Sequence, residues 1–281
     1  AGILQLIFLF FVTLKFYKPT LIFKLKANSK VNFFFKKLLP SIFSSGITQI
    51  NILIGTIIAS FETGAVSYLY YADRIYQINL AIAGIAVGTV SLPVLSKAFK
   101  NKNIKKLSNI QSKSLELSLL LSIPASLGLI LASEEIVNAL FGYGSFSKED
   151  VKLTASALKY FGYGVPAFAL IKILSNFFFA RDNTKVPFYI SIIMVIINIS
   201  ISISLFSKFG FVIIPIATSI ATWIGVLVYI NLLNQKKSLL LNIQFKPNFV
   251  KILASTLIMS ITLVLALSNF ADYLNYTYKL K

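Results

Sequence analysis

The side chains able to do chemistry are few, and they cluster. The densest group is Tyr70-Tyr71-Ala72-Asp73-Arg74-Ile75-Tyr76-Gln77, set inside an otherwise apolar stretch. Among 281 residues there is no Cys and no His, which excludes disulfides, thiolate chemistry, imidazole acid–base catalysis and nearly all zinc sites. What remains is the recognition of ions and polar groups. Only two of the 27 cations are arginine, Arg74 and Arg181, in a composition rich in Lys, Asn, Ile and Phe. The planar guanidinium fork matches a phosphate bidentately, which a lysine point charge does not. Arg74 therefore points to an anion such as a diphosphate. Asp73 could neutralise it or reach another helix, but adjacent helical residues point about 100° apart, so an exclusive Asp73–Arg74 pair is awkward. Lys172 is a second deep cation that either lines the same cavity or snorkels to the interface. Gln49, with Ser44, Ser45, Thr48 and Asn51, crowds one apolar segment, and Asn198, Ser202 and Thr218 punctuate two others. Such groups hydrogen-bond between helices, line a path or coordinate a cation. No GxxxxGK[ST] phosphate loop is present, so the chain is not an ATP-driven pump by itself.

The elements that must position these residues read as membrane helices. The chain is 57% hydrophobic and 13% charged, with a mean hydropathy of +0.80, a balance that suits lipid rather than water as solvent. Apolar segments run over 1–14, 38–60, 65–96, 114–132, 153–180, 187–206, 211–234 and 252–270. Most approach the roughly 20 residues that cross a bilayer core of about 30 Å as helix. The segments lack the alternation of spanning β-strands. The fold class is all-α, polytopic and membrane-embedded, with eight spans. A helix starting near Gly64 would put Arg74 about 15 Å along it, close to mid-bilayer. A charge there costs at least a few kcal/mol and faces a bundle interior or a watery cavity.

The net charge of +18 would suggest a nucleic-acid partner in a soluble chain. Its distribution says otherwise. The connections 15–37, 97–113, 181–185 and 236–251 hold 7, 6, 2 and 4 Lys or Arg. Nineteen of the 27 cations thus fall on alternate connections, which the positive-inside rule assigns to the cytoplasm. The first span then enters from outside. The chain begins at Ala1, within an apolar run and without a signal-peptide pattern, and reads as a piece whose N-terminal part is missing. Residues 133–150, mixed apolar and acidic, read as an interfacial helix and turn on the outer face. Prolines 40, 93, 124, 166 and 215 lie in or at the ends of spans, where they kink helices at tolerable cost.

Several of these residues are familiar together. Pro40, Gly46, Gln49, Asn51, Ala59-Ser60, Val66-Ser67, Tyr71-Ala72-Asp73-Arg74, Gly84, Gly88-Thr89, Leu92-Pro93 and Leu95-Ser96 resemble the MurJ (MviN) family, bacterial lipid II flippases of the multidrug and oligosaccharidyl-lipid exporter group. The segments Leu140–Phe146 and Phe179–Pro187 resemble that family's F-x-x-G-x-F and A-x-x-D-T-K-T-P motifs. The resemblance implies fourteen helices in two lobes around a central cavity, of which the spans here match the sixth to thirteenth. It implies alternating access, carrying a lipid-linked disaccharide–pentapeptide from the cytoplasmic to the periplasmic side of the inner membrane. Arg74 matches the family's cavity arginine and would hold the substrate diphosphate, with Asp73, Gln77, Gln49 and Lys172 around it. Some members carry a glutamate where this chain has Gln77. Some bind sodium, at positions corresponding to Gly55, Asn198, Ser202, Ile214 and Thr218. Both expected aspartates are missing there, so a hard cation finds few charged oxygens and no cofactor is expected.

These readings give residues 1–37 as the last part of one helix with a basic cytoplasmic loop. Residues 38–234 form a lobe of six helices, and 235–281 a basic loop with one peripheral helix. The expected partners are lipid II or a similar lipid diphosphate and membrane lipid, not nucleic acid, and the full-length protein is expected to be a monomer. The competing transporter reading is export of another polyprenyl-diphosphate oligosaccharide or of drugs. An integral membrane enzyme would need converging acids or a metal site, and Asp73 is the one deep carboxylate in the sequence.

Overall fold

The computed structural model describes residues 2–17, 31, 32, 35 and 49–269. It divides into two units, Ala1–Leu39 and Pro40–Lys281. The first contains α1 (Gly2–Phe16), an apolar helix of 15 residues with no buried side chain. The expectations for Pro40, Ser44, Ser45, Gly46 and Thr48, and for most of the 15–37 loop, lie outside the described residues.

In the second unit every described element is a helix. The helix α2 (Gln49–Ala59) is followed by α3 (Ala65–Leu80), a π-helical stretch (Ala81–Ala86) and α4 (Val87–Lys100). Then come α5 (Ile104–Leu131), α6 (Ser133–Phe141), α7 (Lys148–Phe179), α8 (Lys185–Phe209), α9 (Ile213–Gln235) and α10 (Phe245–Asn269). Among the described residues, 5 stretches are long and apolar enough to cross a membrane. One of them, Lys185–Gln235 with 51 residues, breaks at Gly210, where φ is 62° and ψ −154°. It is therefore a hairpin of α8 against α9, two crossings rather than one.

Helix boundaries follow local chemistry. The helix α5 starts ten residues before the apolar segment because Asn103 accepts a hydrogen bond from the Lys106 N–H at 2.9 Å and caps it. Likewise α7 starts at Lys148 because Ser147 and Asp150 form a capping box. The expected single span 65–96 is interrupted by the π turn. There Gly84 faces α7 so closely that a Cβ would sit 3.1 Å from the Ala169 Cα. The wide turn and the missing side chain together let α3–α4 lie against α7.

The central helix is α7, which packs on α3, α4, α5, α6 and α9. It supplies Ile173, Leu174, Phe177 and Phe178 to one core cluster and Val151, Leu158, Phe161 and Val165 to another nearer its start. Pro166 interrupts its hydrogen-bond ladder, leaving the Gly162 carbonyl without its usual i+4 donor. One neighbouring helix replaces that donor, and another adds donors to nearby carbonyls. Ser126 of α5 donates to the Gly162 carbonyl at 2.7 Å, Trp223 Nε1 of α9 to that of Tyr163 at 2.9 Å, and Ser219 Oγ of α9 to that of Tyr160 at 2.8 Å.

The connections gather at two ends, as the charge alternation requires. At one end Arg181 donates to the carbonyls of Phe177, at 3.2 Å, and Ser238, at 2.8 Å, with its guanidinium 5.5 Å from the Phe99 ring centroid. Burial lowers its pKa below the usual arginine value. Gln111 accepts from the Leu240 N–H at 2.8 Å, and Ser112 from that of Asn242 at 2.7 Å. Three of the four basic connections are thus tied together. At the other end Glu62 accepts from the Phe211 N–H at 2.7 Å, and the Tyr68 hydroxyl donates to Asp150 at 2.8 Å.

Candidate functional site

A cleft of about 1030 Å³ opens between α2, α3–α4, α7, α8 and α9. Its walls are mostly apolar, and Asp73, Gln77, Lys172, Asn176, Asn198 and Thr218 are among the polar groups on them. A large apolar cleft with a few convergent polar groups is the usual form of a site for a largely apolar ligand.

The motif on α3 divides its residues among three directions. Ala72 and Ile75 are buried against neighbouring helices. Tyr71 is anchored by the rings of Phe141 and Phe146, 4.7 and 5.4 Å away, so the Leu140–Phe146 segment serves as a brace for α3. Tyr76 stacks on Phe161 and Phe168 of α7 at 4.7 and 5.2 Å. These contacts fix the rotation of α3 and turn Asp73 and Gln77 to the cleft, where Gln77 donates to the Asp73 carboxylate. Arg74 is exposed. Its Nη2 donates to the Tyr70 hydroxyl at 2.9 Å, with the guanidinium 4.7 Å from that ring's centroid. Tyr70 lines the cleft, whereas Arg74 is not among its lining residues and is tied to it through Tyr70. Asp73 and Arg74 thus have different partners, and the arginine fork remains accessible.

Lys172 reaches the cleft from α7, its stem passing Gly84, where a Cβ would lie 3.4 Å from the lysine Cγ. Of the residues predicted around an anion, Asp73, Gln77 and Lys172 line one cleft, whereas Arg74 does not and contacts only its lining residue Tyr70. Gln49 is exposed at the start of α2 and does not line it. Sequence reasoning missed Asn176, which is 9% exposed and donates to the Gly88 carbonyl at 2.8 Å. Its signal in the sequence was an amide inside an apolar span.

Around Asn198, Ser202 and Thr218 the oxygen donors are neutral and partly engaged with one another. Asn198 donates to Asn51 Oδ1 at 2.8 Å. Thr218 donates to the Ile214 carbonyl at 2.8 Å and, more weakly, to Asn198 Oδ1 at 3.4 Å. Ser202 is buried at 2% exposure outside the cleft lining. The oxygens are neutral and partly engaged, whereas a hard cation prefers carboxylates. No group of three or more His, Cys, Asp or Glu that could hold a metal occurs among the described residues. The arrangement is an interhelical tie of α2, α8 and α9.

Helices of spanning length converging on an amphiphilic cleft, with a basic end opposite an acidic one, define part of a polytopic membrane protein. The sequence model described as "Lipid II flippase MurJ" matches residues 1–280. The chain belongs to that family and is a multi-pass protein of the bacterial inner membrane. A probable lipid II flippase MurJ of Rickettsia prowazekii is 36% identical over 284 residues, covering 100% of this chain and 55% of the relative. One of Rhizobium meliloti is 44% identical over 189 residues, 67% of this chain and 35% of the relative. The chain therefore spans only about half, or less, of these relatives' length. A solved lipid II flippase MurJ in an inward closed conformation aligns with a TM-score of 0.72 and 31% identity, over 86% of this chain and 50% of that one. An outward-facing MATE family multidrug transporter aligns at 0.65 with 14% identity, over 78% of this chain and 50% of that one, a likeness of fold alone.

Proposed function

We propose that this chain is the C-terminal part of a lipid II flippase, moving an undecaprenyl-diphosphate-linked peptidoglycan precursor from the cytoplasmic to the periplasmic leaflet by alternating access. The observation that carries the reading is an accessible Arg74 held against Tyr70, which lines the apolar cleft, in a chain matched by the family along nearly its whole length. A diphosphate is a stronger acceptor for the guanidinium than the neutral Tyr70 hydroxyl, so it displaces that contact and forms charge-assisted bonds. Gln77 keeps the Asp73 carboxylate occupied, which limits its competition for Arg74. Lys172 adds a second positive charge on the α7 wall. The apolar remainder of the cleft accepts the lipid portion, and rocking of two lobes about the kinked helices exposes it to either side in turn.

The substrate leaves as it entered, so the protein is not an enzyme, and it works without a cofactor or sodium ion. The full-length protein acts as a monomer, with residues 38–234 as the lobe and 235–281 as its peripheral extension. The test is complementation by the full-length gene in cells depleted of their own flippase. Growth is rescued by the unaltered gene, lost with Arg74→Ala and largely lost with Arg74→Lys, which keeps the charge but not the fork. Rescue by both variants at normal protein levels overturns the diphosphate role.

A further inference from the structure

Away from the transport cleft, α5 and α10 pack together and leave a second cleft of about 460 Å³, bordered by Lys113, Glu116, Leu117, Leu120, Asn248 and Lys251. Both lysines immediately precede apolar runs, 114–132 and 252–270. The helix α5 has 28 residues, a length of about 42 Å, so it exceeds the hydrocarbon core of about 30 Å and its first turns stand in the headgroup layer. Lys113, about 14 Å from the start of α5, and Lys251, about 9 Å from the start of α10, both fall at the cytoplasmic boundary of the hydrocarbon. The carboxylate of Glu116 is engaged by the Asn248 amide, whose Nδ2 donates to Oε2 at 3.1 Å. Two lysines against one occupied carboxylate leave the cleft net positive. One and two turns deeper, Leu117 and Leu120 are 46% and 49% exposed, an apolar strip running down from Lys113.

We propose that this cleft binds an anionic phospholipid of the cytoplasmic leaflet, its phosphate between Lys113 and Lys251 and an acyl chain along Leu117 and Leu120. Basic pockets between membrane helices on the cytoplasmic side select anionic head groups by charge, and the leucine strip favours a lipid over free phosphate. The proposal is independent of the flippase reading.

The test is native mass spectrometry of the full chain in detergent, titrated with phosphatidylglycerol or with phosphatidylcholine of the same acyl chains. The expected result is retention of phosphatidylglycerol over phosphatidylcholine, weakened about thirtyfold in K113Q/K251Q and unchanged in K100Q/K105Q, which removes two lysines outside the cleft. Equal retention of the two lipids by the unaltered chain overturns the proposal. So does undiminished retention in K113Q/K251Q, or an equal loss in K100Q/K105Q. Should K113Q/K251Q fail to fold, E116Q serves in its place. It preserves an acceptor for Asn248 while removing the negative charge, so phosphatidylglycerol retention rises, and a lack of increase overturns the site.

Discussion

Arg74 and Arg181 are the two arginines of the chain, and the structure separates their roles by what they touch. Arg181 is committed to two backbone carbonyls and the Phe99 face, a clamp at the end of α7. Arg74 touches one tyrosine and stays open to a ligand. Replacing Arg181 by Lys therefore lowers thermal stability while leaving substrate recognition intact, the reverse of the Arg74→Lys outcome, and a melting curve beside the complementation assay separates the two. Asn51 and Asn198 make a direct amide pair. A double-mutant cycle with Asn51→Ala and Asn198→Ala gives a coupling on the order of 0.6 kcal/mol, typical of interhelical hydrogen bonds in membrane proteins. Exchanging sodium for potassium at constant ionic strength leaves the melting temperature unchanged. A rise specific to sodium would show that the neutral oxygens of this tie do bind the ion.

At the scale of elements, the kink in α7 is held from outside. Ser126→Ala leaves the Gly162 carbonyl without the donor that Pro166 cannot supply, at a cost of about 1–3 kcal/mol in unfolding. Pro166→Ala restores a backbone N–H to that carbonyl, so the serine substitution costs far less in the Pro166→Ala background, and comparing the four proteins checks this. The α8–α9 turn has a different weak point. A Cβ on Gly210 would stand 2.7 Å from Glu62 Oε2, and its φ of 62° with ψ of −154° is tolerated by little besides glycine. Gly210→Ala then costs about 1–3 kcal/mol. Glu62→Gln, which retains an acceptor for the Phe211 N–H, has a smaller effect in the same thermal unfolding measurement.

For the whole molecule, topology is the testable quantity, and the lack of cysteine gives a clean background for it. In spheroplasts a membrane-impermeant maleimide labels Ser145→Cys but leaves Lys105→Cys and Lys236→Cys unlabelled until the membrane is opened. Labelling of Lys105→Cys and Lys236→Cys, but not Ser145→Cys, before the membrane is opened would refute the orientation. Helical class, the order of the six crossings from α3 to α10, and the gathering of the described basic connections 97–113, 181–185 and 236–251 at one end were legible because hydropathy and lysine placement are properties of composition along the chain. The π turn at Ala81–Ala86 was not, since it depends on how near Ala169 of α7 comes to Gly84. The caps at Asn103 and at Ser147 with Asp150 were not read from the sequence, and they lengthen α5 and α7 beyond their apolar cores. In the site, Asp73, Gln77 and Lys172 were legible as polar residues at depth. The turning of Arg74 to Tyr70 was not, because it depends on Tyr71 and Tyr76 being held by rings distant in sequence.

Trp223 is the single tryptophan of the chain, and its indole N–H is spent on the Tyr163 carbonyl beside the α7 kink. The chain therefore carries its own optical reporter. A straightening of α7 that releases this bond changes the polarity around one fluorophore with no other indole to mask it, so the emission wavelength follows the kink without any label.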